Sequence, residues 1–347
     1  MGEVLPMPEN CLTPEDENCS GSADGCVTGL WSKIAGDLVD QEAWAVTTDG
    51  AGNILVTGYF SGTIDLGGGP LTSLGFTDIF LAKYSNQGLH LWSKSFGSIG
   101  NDQGKDIATD AQGNVYITAF ANTSIDFGGG ILTTLGGKEV CVAKFNSAGV
   151  HQWSKRYGGA SNEDPAGLDL DSAGNIYVTG TYAGATDLGG GLIPHAGSDD
   201  VFLLKLDNLG NHLWSMGFGD LMNQDTRDIA VDSLGNVTII GYFEGSIDFG
   251  DGLHTSTGSA DMMAAKFTSG GTILGSRVVG GGGAQIADSI AIDNNNNVII
   301  SGYVAGTVDF GGGPLTVIGT NDVFVAKYDT FGNHLWSKLF GGAGDQL

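Results

Sequence analysis

The chain has 347 residues, with 14 Lys plus Arg against 39 Asp plus Glu and a formal net charge of −25. A surface this acidic repels phosphate backbones and anionic headgroups, so nucleic acid is excluded as an expected partner. Apolar residues, at 41%, suffice for a core, yet no run of about 20 of them occurs, and no membrane insertion by a helix is expected.

Residues 1–27 read as an acidic tail or linker carrying Cys11, Cys19 and Cys26. Too polar to build a core, it is most simply ordered by a disulfide in an oxidising compartment. A zinc site is the rival, but the spacing lacks a CxxC pair and no His lies near. Met1–Asn10 lacks the basic start and apolar middle of a signal peptide. The chain is therefore either cytoplasmic or begins after a removed leader, and the cysteines favour the second, hence an extracellular or cell-surface expectation.

From residue 28 to 347 the chain repeats itself. A fragment at Val27–Ile34 ends a unit, with Trp31 standing 61 residues before Trp92. Five units follow, starting near Ala43, Gly104, Pro165, Thr226 and Ala287. Asp65 recurs as Asp126, Asp187, Asp248 and Asp309, and Lys83 as Lys144, Lys205, Lys266 and Lys327, each step being 61 residues. Trp92 recurs as Trp153 and Trp214, Leu274 is read in its place in the fourth unit, and Trp336 restores it. The 60 glycines fall at fixed places in the unit, which argues for turns rather than disorder.

Each unit spells four short strands rich in Val, Ile, Phe, Tyr and Thr. In the first unit they are WAVTT, ILVTGYF, DIFLAKY and HLWSKSF, the middle two joined by a long Gly-rich connection. No segment carries a 3.6-residue apolar rhythm. The first turn reads D-x-x-G-N from Asp49, Asp110, Asp171 and Asp232, and DNNNN from Asp293. Such a hairpin turn needs a positive φ at its fourth residue, where Gly costs nothing and Asn little; Asn296 is expected there in the fifth unit. One carboxylate per turn is too few for calcium. The prediction is all-β: a β-propeller of four-stranded blades, five in number and closed into a ring with one terminal fourth strand redundant. A fragment of a six-bladed or larger propeller is the alternative. A closed ring predicts a monomer.

The units resemble the bacterial β-propeller repeats known as SBBP repeats. The match is nearly word for word at Gly52–Gly69, Asp78–Tyr84, Asp322–Tyr328 and Gly332–Gly341, and covers about residues 28–347. The resemblance implies a secreted or cell-surface protein. It supplies no catalytic residue and no ligand.

Candidate chemistry is sparse. No GxSxG, HExxH or P-loop occurs, and His90, His151, His212 and His334 are part of the repeat. The mid-strand Lys83 series is expected to pair, one per blade, with the Asp65 series, or alternatively with the Asp78 series. A metal site on the Asp65 series is the functional rival; no cofactor is expected. Cys141 stands where sister units carry Phe and reads as a buried small hydrophobe. The innermost strand varies most, with Trp44, Lys105, Ala166, Arg227 and Asp288 at one position and Ala45, Asp106, Gly167, Asp228 and Ser289 at the next, one of the two being expected to face the central channel. Together with Lys138, His195 and His254 in the long connections, Trp44, Lys105 and Arg227 are the candidate binding residues. The leading functional expectation is a non-catalytic scaffold or recognition module for protein or glycan. Alternatives are an enzyme with a site at the central channel, and a structural spacer in a larger surface protein.

Overall fold

The computed structural model describes residues 31–346; the three cysteines of the tail lie outside them. Among these residues there is no helix, and the strands form five four-stranded antiparallel sheets. The first comprises Gln41–Thr48, Ile54–Phe60, Asp78–Tyr84 and His90–Phe96, hydrogen-bonded in that order. The others repeat it, with first strands Asp102–Thr109, Glu163–Leu170, Gln224–Val231 and Gln285–Ile292. These are propeller blades. The long connection is more ordered than its composition implies. Each folds a second small hairpin, Thr63–Asp65 with Pro70–Thr72 in blade one.

The turns follow their chemistry. Asp49 accepts the amides of Ala51 and Asn53 at 2.9 and 3.0 Å and the Asn53 side-chain amide at 2.8 Å. Asn296, at φ 61°, is the one non-glycine residue at positive φ among those described.

Second and third strands of the inner blades are buried on both faces because those blades are sandwiched by neighbours. Clusters such as Ile79, Leu81, Ile107, Ile117 and Phe145 span two blades, and buried Cys141 belongs to this one. The register of the fourth blade corrects the reading of the Trp series: Lys266 pairs with Gly275 as Lys205 pairs with Trp214. Glycine, not Leu274, replaces the tryptophan. The motif is degenerate there, ILGSR for HLWSK, and the one-residue slip came from that.

The charges that join the blades are also corrected. Lys83 lies 2.8 Å from Asp49 of the D-x-x-G-N turn, not against Asp65 or Asp78. Lys205, Lys266 and Lys327 pair likewise with Asp171, Asp232 and Asp293 at 3.7, 2.8 and 2.7 Å. Lys144 instead sits 4.8 Å from the ring of Tyr116, whose hydroxyl donates to Asp110. The Asp65 series has another task. Asp65 accepts the amides of Gly67 and Gly69, and Asp126, Asp187, Asp248 and Asp309 repeat this. Those amides hold Asp126, Asp187 and Asp309 below the usual carboxylate range.

A clasp between successive blades results. Lys83 also donates to the Ser147 carbonyl of the next blade at 3.1 Å, and the Trp92 indole donates to the same oxygen at 3.2 Å. Lys205 and Trp214 converge on Ser269 in the same way. Trp31, from the fragment before the first unit, donates to Asn86 at 3.1 Å, the equivalent carbonyl of blade one.

The first strands of successive blades pack against one another at the centre, but no comparable contact joins blade five to blade one. The end blades record this in their burial. Ile107, Leu168, Ile229 and Ile290 are 3–8% exposed, whereas Val46 at the same position in blade one is 67% exposed. Phe96, Tyr157, Phe218 and Val279 are 2–9% exposed, whereas Phe340 in blade five is 52% exposed. Five blades form an open arc, contrary to the expected closure. Trp31 sits where the last Trp of a closed ring would have to sit.

Candidate functional site

In every blade the first strand slips register once against the second, between Ala43 and Ala45, Gly104 and Asp106, Pro165 and Gly167, Thr226 and Asp228, and Ala287 and Ser289. The residue left unpaired is Trp44, Lys105, Ala166, Arg227 or Asp288. A β-bulge bends its strand and re-aims the extra side chain out of the pleat's alternation. The variable position noted in the sequence is thus the bulge itself.

The bulge side chains meet the long connections. The Lys105 ammonium lies 3.9 Å from the centre of the Trp44 ring and 3.6 Å from Asp164. Lys138, from the long connection of blade two, reaches the same Asp164 at 2.7 Å and sits 4.4 Å over Phe120. Trp44, Lys105 and Lys138 therefore converge from two blades on a carboxylate of a third. Burial pushes the Lys105 ammonium below its usual range, and Asp164 acts against that. Trp44 stays half exposed beside that cation.

Arg227 builds a second centre. It lies 3.2 Å from Asp225 and 5.4 Å from the Tyr242 ring, and the Tyr242 hydroxyl accepts from Asn223 at 3.2 Å. Burial raises the carboxyls of Asp225 and Asp288, and the guanidinium opposes it in both.

The two loop histidines do not join these centres. His195 turns back on the Ser198 carbonyl of its own connection and packs edge-on to Tyr182 at 5.7 Å. His254 lies 2.7 Å from the Ser276 hydroxyl on the outer strand of blade four. In the other blades the strand's own histidine makes that contact, as His212 does with Ser215 at 3.0 Å. Blade four carries Ile273 in place of that histidine, and His254 makes good the loss.

Sequence reasoning missed Asp164, Asp225, Phe120 and Tyr242. They belong to two further columns: Glu42, Gln103, Asp164, Asp225 and Ile286 beside the bulge, and Tyr59, Phe120, Thr181, Tyr242 and Tyr303 across from it. The first varies in charge, the second is mostly aromatic. The three columns stand side by side on the first two strands of each blade; in blade one the Tyr59 hydroxyl donates to Glu42 at 2.8 Å.

Further in, Asp106 accepts the amides of Ile107 and, from the next blade, Leu168. Asp169 and Asp228 staple Val231 and Ile290 similarly. Burial, with the neighbouring Asp228 charge adding, pushes Asp106 up to about 8, and burial raises Asp169 to about 6. Both Asp106 oxygens are engaged by backbone, so the perturbation has a structural cause. Among the described residues no three His, Cys, Asp or Glu side chains gather closely enough to hold a metal ion.

Against this geometry, the sequence profile of the family described as a β-propeller repeat, SBBP, matches residues 152–181. Within the 61-residue unit, that stretch is similar to an SBBP β-propeller repeat. The matched stretch runs from the last strand of blade two into the second strand of blade three and includes the bulge residue Ala166. Two curated relatives resemble the chain over most of its length. An uncharacterized WD repeat-containing protein of Acanthamoeba polyphaga mimivirus is 26% identical over 89% of the chain, and the regulatory protein FlaEY of Caulobacter vibrioides is 25% identical over 82%. The chain spans 28% and 32% of their lengths. A solved structure of unknown function from Dyadobacter fermentans is 13% identical, with TM-score 0.43, covering 90% of this chain and 98% of that one.

Proposed function

We propose that this repeat array is a non-catalytic scaffold or recognition module, extracellular or at the cell surface, that holds a protein or glycan at the mouth framed by Trp44, Lys105, Lys138 and Arg227. One observation carries the reading. A strictly repeated framework sets five bulges at one level and places five different residues on them, so the framework is kept while the surface it presents is varied. Loops and re-aimed side chains on a rigid scaffold are where recognition commonly sits. A half-open indole beside paired cations and carboxylates suits a sugar face or a mixed peptide surface. The relatives named WD repeat-containing and regulatory accord with a partner-holding role. The cysteine-bearing tail and the resemblance to secreted repeat proteins support the extracellular location.

The test is a glycan array, with affinity capture from surface-protein extracts in parallel, using the purified chain and the variants Trp44→Ala and Lys105→Ala. Discrete binding that both variants abolish, with strand content unchanged by circular dichroism, supports the proposal. Binding that survives both, but is lost on changing Gln112 and Leu234 in the D-x-x-G-N turns, places the partner on the opposite face and overturns it.

A further inference from the structure

The junction between blades four and five differs from the others, and it differs by subtraction. Elsewhere an indole from the outer strand lies over the glycine of the next second hairpin. Gly88, Gly149, Gly210 and Gly271 are covered in this way by Trp31, Trp92, Trp153 and Trp214. Over Gly332 nothing lies within 4 Å of where a side chain would begin, because Gly275 stands at the Trp position. The opposite wall is cut back as well. Tyr116 and Tyr177 of the second strands meet Trp153 and Trp214 edge-on at 6.5 and 6.1 Å, and the equivalent residue in blade four is Thr238.

The two truncations leave a cleft of about 520 Å³. Its wall carries two buried polar groups that have no hydrogen-bond partner, the Thr238 hydroxyl and the Tyr328 hydroxyl. Both residues are 3% exposed. Unpartnered groups at such depth are uncommon and costly. The Thr330 carbonyl, equivalent to Ser147 and Ser269, lacks its indole donor and keeps only Lys266 at 3.5 Å. At the rim Arg277 lies over the Tyr328 ring at 4.8 Å and donates to the Gly332 and Phe310 carbonyls at 2.9 and 3.4 Å. Blade three has Met216 at that position. The Phe331 side chain stands 90% exposed beside the opening.

We infer that this cleft is a binding site for a small planar bicyclic heteroaromatic bearing a ring N–H and a carboxylate, of the indole-carboxylic acid class. The chain itself supplies the template, since the sister junctions fill the same space with an indole whose N–H donates to the equivalent carbonyl. The ring occupies the space left by Gly275 and Thr238, with its N–H on the Thr330 carbonyl and its apolar face against Ala264, Val298 and Ile300. Arg277 receives the carboxylate, and the Thr238 and Tyr328 hydroxyls find partners at the ring edge or through water. A preformed, largely apolar space with a few polar groups on its wall is the usual setting for a small aromatic ligand. The site lies on the turn side between two blades and is independent of the bulge-lined mouth.

Isothermal titration calorimetry of the full chain with indole-3-acetate, naphthalene-1-acetate and unsubstituted indole tests this. Indole-3-acetate is expected to bind tightest. Removing the ring N–H, or replacing Arg277 by Met, is expected to weaken it roughly tenfold or more, as for loss of a hydrogen bond to a charged or carbonyl partner. Gly275→Trp and Thr238→Tyr, which restore residues of the sister blades from the two walls, are each expected to abolish binding and raise the melting temperature. Absence of heat with all three probes at millimolar concentration would overturn the inference. So would undiminished binding in whichever filling variant folds.

Discussion

The buried clasp between blades one and two allows a worked test. Lys83 is 3% exposed and Asp49 8%, with 2.8 Å between ammonium and carboxylate. Replacing Lys83 by Met keeps most of the stem's packing and removes only the charge. Asp49 retains the Ala51 and Asn53 amides and Ser147 retains the Trp92 indole, so the cost should fall at the low end of the roughly 3–5 kcal/mol seen when one partner of a buried pair is removed. The Asp49 titration gives an independent figure. Burial works to raise it, yet Lys83 and the Asn53 contacts hold it down, from 3.8 to about 2. That is worth about 2.5 kcal/mol at about 1.4 kcal/mol per unit. A carboxyl depressed on folding stabilises above pH 3.8 and loses that contribution as pH falls towards 2. We therefore expect Lys83→Met to cost about 3 kcal/mol at pH 7, read from urea unfolding followed by tryptophan fluorescence. The double variant Lys83→Met, Asp49→Asn should recover about 2 kcal/mol of that, because it leaves no stranded charge. A single variant within 0.5 kcal/mol of the parent, with no coupling in the cycle, would refute the clasp.

The remaining expectations are shorter. Burial, with the Asp78 charge adding, raises Asp102 to about 6; a raised carboxyl stabilises below its unfolded value and loses that as pH rises, so melting temperature should fall from pH 4 to about 6. Asp102→Gln, the residue at this position in blades four and five, should flatten that part of the curve, and an unchanged slope would refute the assignment. The uncovered faces carrying Val46 and Phe340 should make the isolated chain associate with rising concentration in sedimentation, and Phe340→Glu should suppress this. A single monomeric species at all concentrations would mean that the arc closes in solution.

Much of the fold was legible because turn chemistry is local. Asn296 could be placed at positive φ from five residues of sequence, since only Gly and Asn tolerate that position cheaply. The Lys83 pairing was not legible, for a reason built into repetition. In a 61-residue array every repeated Asp keeps a constant spacing to every repeated Lys, so Asp49, Asp65 and Asp78 satisfy the periodicity equally well. Only geometry separates them: the Asp65 carboxylate is taken by Gly67 and Gly69. The bulge was half legible. Variation at Trp44, Lys105, Ala166, Arg227 and Asp288 marked a position freed from packing, but the slipped register that frees it has no composition of its own. Whether the ends meet depends on blade tilt summed over the array, which no single unit encodes.

Departures from the repeat separate into those the structure repairs and those it leaves open, and the second kind carry the functional information. Ile273 removes a histidine, and His254 restores the contact to Ser276 from another strand. Glu139 and Glu163 place two carboxylates at one junction, and Arg156 pairs with Glu139 there. These changes cancel, as expected where selection acts on packing alone. Asp78 and Asp102 form the corresponding pair one junction earlier with Ser95 in place of the arginine, and burial raises both carboxyls there. Gly275 and Thr238 remove two aromatic rings from one junction, and Arg277 recovers two backbone hydrogen bonds and a contact with the Tyr328 ring without filling the space. A buried threonine and a buried tyrosine hydroxyl remain without partners beside the space. At the Thr238 position blades two and three carry Tyr116 and Tyr177, whose rings pack edge-on against Trp153 and Trp214, so blade four lacks both members of that pair. An open space beside two unpartnered hydroxyls, where the sister junctions hold an indole, is the reason to look for a ligand there.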